Sequence, residues 1–189
     1  MEEIYIMNKK IGLSRLVITG GVMAAVLLSG CGNSNNAGSG ANNKTEAKKQ
    51  MAPDFTADML DGSTFTLSEA KGKVVLINIW ATWCGPCCGE MPAFQKLDEE
   101  YGDKLQIVAV NYAEKRGDVK AFMDENGYTF PVAFDDMGEI SAKYPSQGIP
   151  YTIIIDKEGA ISKTFVGAQS ADVQYDLYKK AIEEAMNEK

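Results

Sequence analysis

The sequence predicts an α/β domain, a mixed central β-sheet with helices on both faces, from three observations. Val74–Trp80 is a nearly unbroken apolar run, strand-like and helix-like segments alternate after it, and a hairpin signal precedes a last amphipathic stretch. A strand apolar at almost every position has both faces buried, so Val74–Trp80 belongs at the sheet centre.

The elements follow in order. Thr64-Phe65-Thr66-Leu67 comes after the turn signal Asp61-Gly62 and pairs with the segment before it as a short hairpin. After the central strand, Met91, Phe94, Leu97 and Tyr101 recur at helical spacing, predicting a helix from about Cys87 to Tyr101, kinked near Pro92. Leu105–Tyr112 is a second strand, and a helix through Val119, Phe122 and Met123 stops near Asn126-Gly127. Phe130–Phe134 gives a short strand and Gly138–Tyr144 a short helix. Tyr151–Ile155 and Ile161–Val166 form a hairpin around Asp156-Lys157-Glu158-Gly159. Ser170 to Asn187 is an amphipathic helix, with Ser170 expected as its N-cap and acid in its first turn.

Composition narrows the chemistry. The 189 residues carry 19 Lys+Arg against 26 Asp+Glu, a net charge of −7, and the only arginines are Arg15 and Arg116. That balance offers no footprint for phosphate backbones, so no nucleic-acid partner is expected. Histidine is absent, which removes Ser-His-Asp and Cys-His catalysis and His-ligated metals. Sulfur, carboxylates and backbone are what remains.

Lys9, Lys10 and Arg15 precede the apolar stretch Leu16–Leu28, short and rich in small residues, which reads as a signal peptide over residues 1–30. Glu2 and Glu3 are unusual ahead of a positive leader, and Met7 makes a more ordinary start. The stretch ends in Leu28-Ser29-Gly30-Cys31, which resembles the lipobox of bacterial lipoproteins. The resemblance implies that Cys31 is lipidated and becomes the new N-terminus, anchoring the chain to the lipid bilayer. An ordinary secretory signal with an incidental cysteine is the alternative. The Gly-, Asn-, Ser- and Lys-rich run that follows cannot build a core, so residues 31–50 are expected to be anchor and flexible spacer, with the globular domain over 51–189.

Trp83-Cys84-Gly85-Pro86-Cys87 ends the central strand and opens the first long helix. Free N–H groups and the helix dipole stabilise a thiolate there, which suits Cys84 as the attacking nucleophile. Cys87, one turn further in, is placed as the buried resolving thiol. Two sulfurs three residues apart on a first helical turn can meet at disulfide geometry without moving the backbone. A static disulfide or half of a metal site are the alternatives, but without histidine a zinc site has only Cys31 and Cys88 left as further ligands of this kind. Cys88 is expected to be a small residue packed beside Cys87, not a catalytic one.

The run Val74–Cys87 resembles the central strand and active site of the thioredoxin fold, and Gly148-Ile149-Pro150-Tyr151-Thr152 resembles its cis-proline loop. Glu90 three residues after the second cysteine, Met91-Pro92 beyond it, the extra helix and strand around Val119–Phe134 and the N-terminal hairpin resemble the TlpA/ResA branch. That branch comprises membrane-tethered, extracytoplasmic thiol–disulfide oxidoreductases. The resemblance implies that Pro150 is cis, and that Ile149 offers backbone hydrogen bonds to a substrate strand. It implies substrate contacts for Trp83, Gly85 and Pro86, and passes to Glu90 the proton-shuttling role of a buried Asp that cytoplasmic thioredoxins typically place where Asn78 stands here. It implies no cofactor, a monomer, exported disulfide proteins such as apocytochromes c as substrates, and a CcdA-type membrane electron donor. The Lys- and Asn-rich leader points to a Gram-positive bacterium.

Gly85-Pro86 between the cysteines matches reducing thioredoxins, so a disulfide reductase is the expected direction. A thiol oxidase or isomerase of the same fold differs only in potential and partner. A peroxidase would want a threonine or serine where Ala81 stands, and a supporting arginine. A non-enzymatic Cu(I) module would use Cys84, Cys87 and Cys88 as soft ligands.

Overall fold

The structure is a computed structural model that describes residues 49–188; the leader, Cys31 and the spacer up to residue 48 lie outside the described residues. A hairpin of β1 (Thr56–Asp58) and β2 (Thr64–Thr66) opens the domain and leads into a 3₁₀ turn at Leu67–Ala70. Then come β3 (Val74–Trp80), α1 (Gly85–Tyr101), β4 (Leu105–Tyr112), α2 (Arg116–Asn126), β5 (Val132–Asp135) and α3 (Glu139–Lys143). The chain closes with β6 (Tyr151–Ile155), β7 (Ile161–Val166) and α4 (Ala171–Asn187). The main sheet has the order β5-β4-β3-β6-β7, with β3 at its centre as its composition requires. β3 runs parallel to β4 and antiparallel to β6, so the sheet is mixed.

Alternation along β3 divides the core. Val74, Leu76 and Trp80 face α1, α2 and α4 together with Met91, Phe94, Val119, Met123, Tyr178 and Ile182. Val75, Ile77 and Ile79 face the opposite side, where Phe55, Ala57, Leu67, Ile140 and Tyr144 pack. Both faces are covered, but the long helices share one of them. The other is closed by the N-terminal hairpin, the 3₁₀ turn and the five-residue α3, which is why Phe55 packs edge-on to Tyr144 there.

Two local expectations change. α1 starts at Gly85 rather than near Cys87, and runs through Pro92 to Tyr101. Ser170 stands at the N-cap of α4, but its side chain makes no capping bond. Instead the Gln174 side-chain carbonyl accepts from the Gln169 N–H, taking up a donor of the approach to the helix. At the end of α2, Gly127 takes the left-handed conformation (φ 70°) that the Asn126-Gly127 signal predicts.

The N-terminal entry is stitched to the β6–β7 turn. Ala52 N–H donates to Gly159 O and Ile161 N–H to Gln50 O, and Lys49 pairs with the buried Asp156 at 2.8 Å. Lys49 and Gln50, at the end of the expected spacer, are thus already bonded to the domain.

Candidate active site

β3 delivers the chain to a turn at its carboxyl end, where Cys84 N–H donates to Ala81 O, and α1 begins at the next residue. Cys84 is the N-cap of α1, with its sulfur accepting from the Cys87 N–H at 3.3 Å. Cys84 and Cys87 form a disulfide, with Cα atoms 5.2 Å apart. Cys87 is fully buried and Cys84 nearly so (7% exposed), while Trp83, Gly85 and Pro86 around them are exposed. The Ile149–Pro150 peptide bond is cis, and the half-buried Ile149 packs on the same apolar cluster as both cysteines.

Glu90 is not on the solvated face of its helix. It is wholly buried, as Asn78 is, and the two meet: Asn78 Nδ2 donates to Glu90 Oε1 at 2.9 Å and to Thr152 Oγ1 at 2.9 Å. Tyr178 OH donates to Glu90 Oε2 at 2.7 Å and lies 2.9 Å from Thr152 Oγ1. Antiparallel register sets Asn78 directly opposite Thr152, and helical spacing puts Glu90 on the buried face of α1 with Cys87. Burial, which opposes the charged form, raises the Glu90 pKa to about 7 against the pull of the Tyr178 and Asn78 hydrogen bonds. A carboxyl group poised near neutrality, one turn from Cys87, can take up and return a proton.

A second carboxylate holds the loop in front of the disulfide. Glu114 accepts from Thr82 N–H at 2.8 Å, from Thr82 Oγ1 at 2.5 Å and from Asn111 Nδ2 at 2.7 Å. The remaining polar atom of Thr82, its carbonyl, accepts from the Cys88 thiol at 3.2 Å. Burial, with the nearby Glu114 charge, pushes the Cys88 thiol up. Cys88 is therefore a half-buried thiol turned toward the strand-to-helix loop.

The structure thus brings Trp83, Cys84, Gly85, Pro86, Cys87 and Glu90 onto one strand-to-helix junction. Cys31 lies outside the described residues. Sequence reasoning missed Thr152, Tyr178 and Glu114. A polar Asn78 within an apolar strand was a signal that some buried partner must exist. Nothing local marked Glu114.

Comparison with known proteins agrees with this geometry. The Redoxin family model matches residues 46–182. Thioredoxin-like protein YneN of Bacillus subtilis is 48% identical over 124 residues, 64% of this chain and 72% of that one. Thiol-disulfide oxidoreductase ResA of Oceanobacillus iheyensis is 40% identical over 135 residues, 69% of this chain and 70% of that one. A solved thiol:disulfide interchange protein DsbE from Chlorobium tepidum superposes with a TM-score of 0.66 at 34% identity, covering 74% of this chain and 97% of that one. With a redox pair capping the first long helix of such a sheet, this chain belongs to the Redoxin family as a ResA-like, thioredoxin-fold thiol–disulfide oxidoreductase.

Proposed function

We propose that the protein is a disulfide reductase for exported proteins, held at the outer face of the cell membrane by a lipid on Cys31. The observation that carries the chemistry is the Cys84–Cys87 pair at the start of α1 with a buried, near-neutral carboxyl group one turn beyond it. In the reduced enzyme the Cys84 thiolate, stabilised by the N-terminal N–H groups of α1, attacks a substrate disulfide. One substrate sulfur leaves as a thiol and the other stays in a mixed disulfide with Cys84. Cys87 then gives its proton to Glu90 and attacks Cys84, which releases the second substrate thiol and closes the enzyme disulfide. Two electrons leave the dithiol and two substrate thiols appear. Trp83, Gly85 and Pro86 present an exposed surface beside the sulfurs, and the backbone of Ile149 before Pro150 supplies hydrogen bonds to an extended substrate strand.

The extracytoplasmic site rests on the sequence: residues 1–30 as signal peptide, 31–50 as lipidated anchor and spacer, 51–189 as the catalytic domain. No helix among the described residues is long and apolar enough to cross a membrane. Re-reduction there falls to a membrane electron donor of the CcdA type, and apocytochromes c are the substrate class favoured by the family resemblance.

The reduction potential of the Cys84–Cys87 pair, equilibrated against glutathione or dithiothreitol with each cysteine mapped by alkylation, tests the direction. A value of about −250 mV or lower supports a reductase, and one near about −120 mV makes the protein an oxidant. No reversible pair at all would overturn the redox assignment of these residues.

A further inference from the structure

The ring formed by Asn78, Glu90, Tyr178 and Thr152 has a hydrogen inventory that can be counted. Nδ2 of Asn78 can only donate, and an ionised carboxylate can only accept. Tyr178 must then donate to Glu90 Oε2, which leaves the Thr152 hydroxyl to donate to Tyr178. With Glu90 ionised, each of the four contacts holds one hydrogen, and every donor in the ring is used. Protonating Glu90 brings in a fifth hydrogen. Facing Asn78 on Oε1 it meets the N–H head-on, and facing Tyr178 on Oε2 it reverses the phenol onto Thr152, whose own hydrogen then has no acceptor in the ring. On the other lone-pair site of either oxygen it finds no acceptor in the ring and leaves that oxygen a weaker acceptor for Asn78 or Tyr178. The spare acceptor is Asn78 Oδ1, buried and without a partner among the described residues, and reaching it requires the carboxamide to invert. The ring therefore opposes the proton that burial of Glu90 favours.

Tyr178 cannot swing away from this task. Its ring stacks on Phe94 (centroids 5.5 Å, planes 8° apart) and meets Phe165 edge-on at 5.1 Å, and the residue is fully buried. Burial and the neighbouring Glu90 charge hold the phenol well above its ordinary range, so it remains a donor at any pH the enzyme meets. Glu90 is bonded by Asn78 from β3 and Tyr178 from α4; Thr152 on β6 and Gln174 on α4 bond in turn to the Tyr178 hydroxyl, and Cys87 lies one turn earlier on α1. No cation among the described residues contributes.

We propose that Tyr178, contributed by the C-terminal helix, is a positioning residue for the redox reaction: it holds Glu90 toward its ionised, proton-accepting form and so decides at what pH Cys87 can be deprotonated. The proposal rests on the proton-transfer role assigned to Glu90 above. Removing the hydroxyl while keeping the stacked ring should weaken only the ionised state.

The test is the titration midpoint of the Glu90 carboxyl carbon, followed by ¹³C NMR in the full chain as wild type, as Tyr178→Phe, and with 3,5-difluorotyrosine at position 178. Loss of one hydrogen bond to a charged group should move the midpoint up by about one to two pH units in Tyr178→Phe. The fluorinated phenol, a stronger donor of nearly the same shape, should move it down. A packing role alone would produce neither opposite shift. A midpoint that stays put in both variants, or that moves the same way in both, overturns the assignment of Tyr178. The pH profile of disulfide reduction by the same variants separates the two claims. If it follows the midpoint, both stand; if the midpoint moves and the profile does not, Tyr178 still governs Glu90 but Glu90 is not the proton acceptor.

Discussion

Replacing Glu90 by Gln should flatten part of the pH dependence of stability in the oxidised protein. The folded-state pKa of Glu90, about 7, lies above its ordinary value of 4.5 because the carboxyl is buried. Between those values the folded chain holds a proton that the unfolded chain has released, so stability falls as pH rises. At about 1.4 kcal/mol per pH unit over roughly 2.5 units, the loss attributable to this group is about 3 kcal/mol. The contribution is whole below about pH 4.5 and gone above about pH 7. Asp54, Asp61 and Asp156 have pKa values held low by hydrogen bonds, and their contributions run the opposite way, fading as pH drops through the acid range. The comparison must therefore be between variants at each pH. Urea unfolding of oxidised wild type and Glu90→Gln at pH 4.5, 6 and 7.5 isolates the contribution of this carboxyl, since the disulfide removes the titration of Cys84 and Cys87. The difference between the two proteins should change by about 3 kcal/mol across that range, in favour of wild type at the acid end. A difference constant within about 0.5 kcal/mol would refute a buried carboxyl with a raised pKa.

Cys87→Ser should trap a mixed disulfide on Cys84 with a model protein substrate, visible by non-reducing electrophoresis, whereas Cys84→Ser should trap none. Glu114→Ala leaves the Thr82 N–H and hydroxyl and the Asn111 amide without their acceptor, and should cost about 2–4 kcal/mol in chemical denaturation at this half-buried site. Cys88→Ser keeps a donor for the Thr82 carbonyl and should retain the wild-type reduction rate, while Cys88→Ala should slow it; equal losses in both would argue that the thiol is used chemically. Trp83→Ala should leave stability within about 0.5 kcal/mol, since the ring is 67% exposed, and should raise KM for a folded disulfide substrate in a steady-state assay.

How far the sequence reveals this site depends on how local each signal is. The apolar run at Val74–Trp80, the helical spacing of Met91, Phe94 and Leu97 and the Asn126-Gly127 stop each rest on a few neighbouring residues, and each element stands where that spacing puts it. The strand-to-helix placement of Cys84 and Cys87 is legible for the same reason. The ring around Glu90 is different. Asn78, Glu90, Thr152 and Tyr178 come from β3, α1, β6 and α4, and they meet only because β6 pairs with β3 in the register that sets Thr152 opposite Asn78 while α4 packs against α1. No spacing encodes that register. Ser170 occupies the N-cap position its sequence signal predicts, but whether the hydroxyl turns inward to cap is a rotamer choice that the signal does not encode. Glu114 follows Ala113, which adopts a left-handed φ of 54° unusual for a non-glycine residue, a backbone feature without a sequence signature.

The same register locates the chain's entry relative to the chemistry. Val75, at the start of β3, pairs with Ile155, and the turn after Ile155 carries Gly159 and Ala160, to which Met51 and Ala52 are joined. Trp80, at the other end of β3, leads to Cys84. The entry strand and the disulfide thus sit at opposite ends of the central strand, roughly 15–20 Å apart along it. The chain enters the described domain at Lys49, at the end of the sheet away from Trp83. Removal of residues 1–52 should therefore separate stability from chemistry. It deletes the hydrogen bonds of Ala52 and Gln50 to the β6–β7 turn, worth about 1 kcal/mol each, and leaves the buried Asp156 without Lys49. The truncated protein should unfold at lower urea but keep the reduction potential of a protein beginning at residue 31, measured in the same thiol buffer. A potential that changed with the truncation would show that the far end of the sheet is coupled to the disulfide, which this geometry does not provide for.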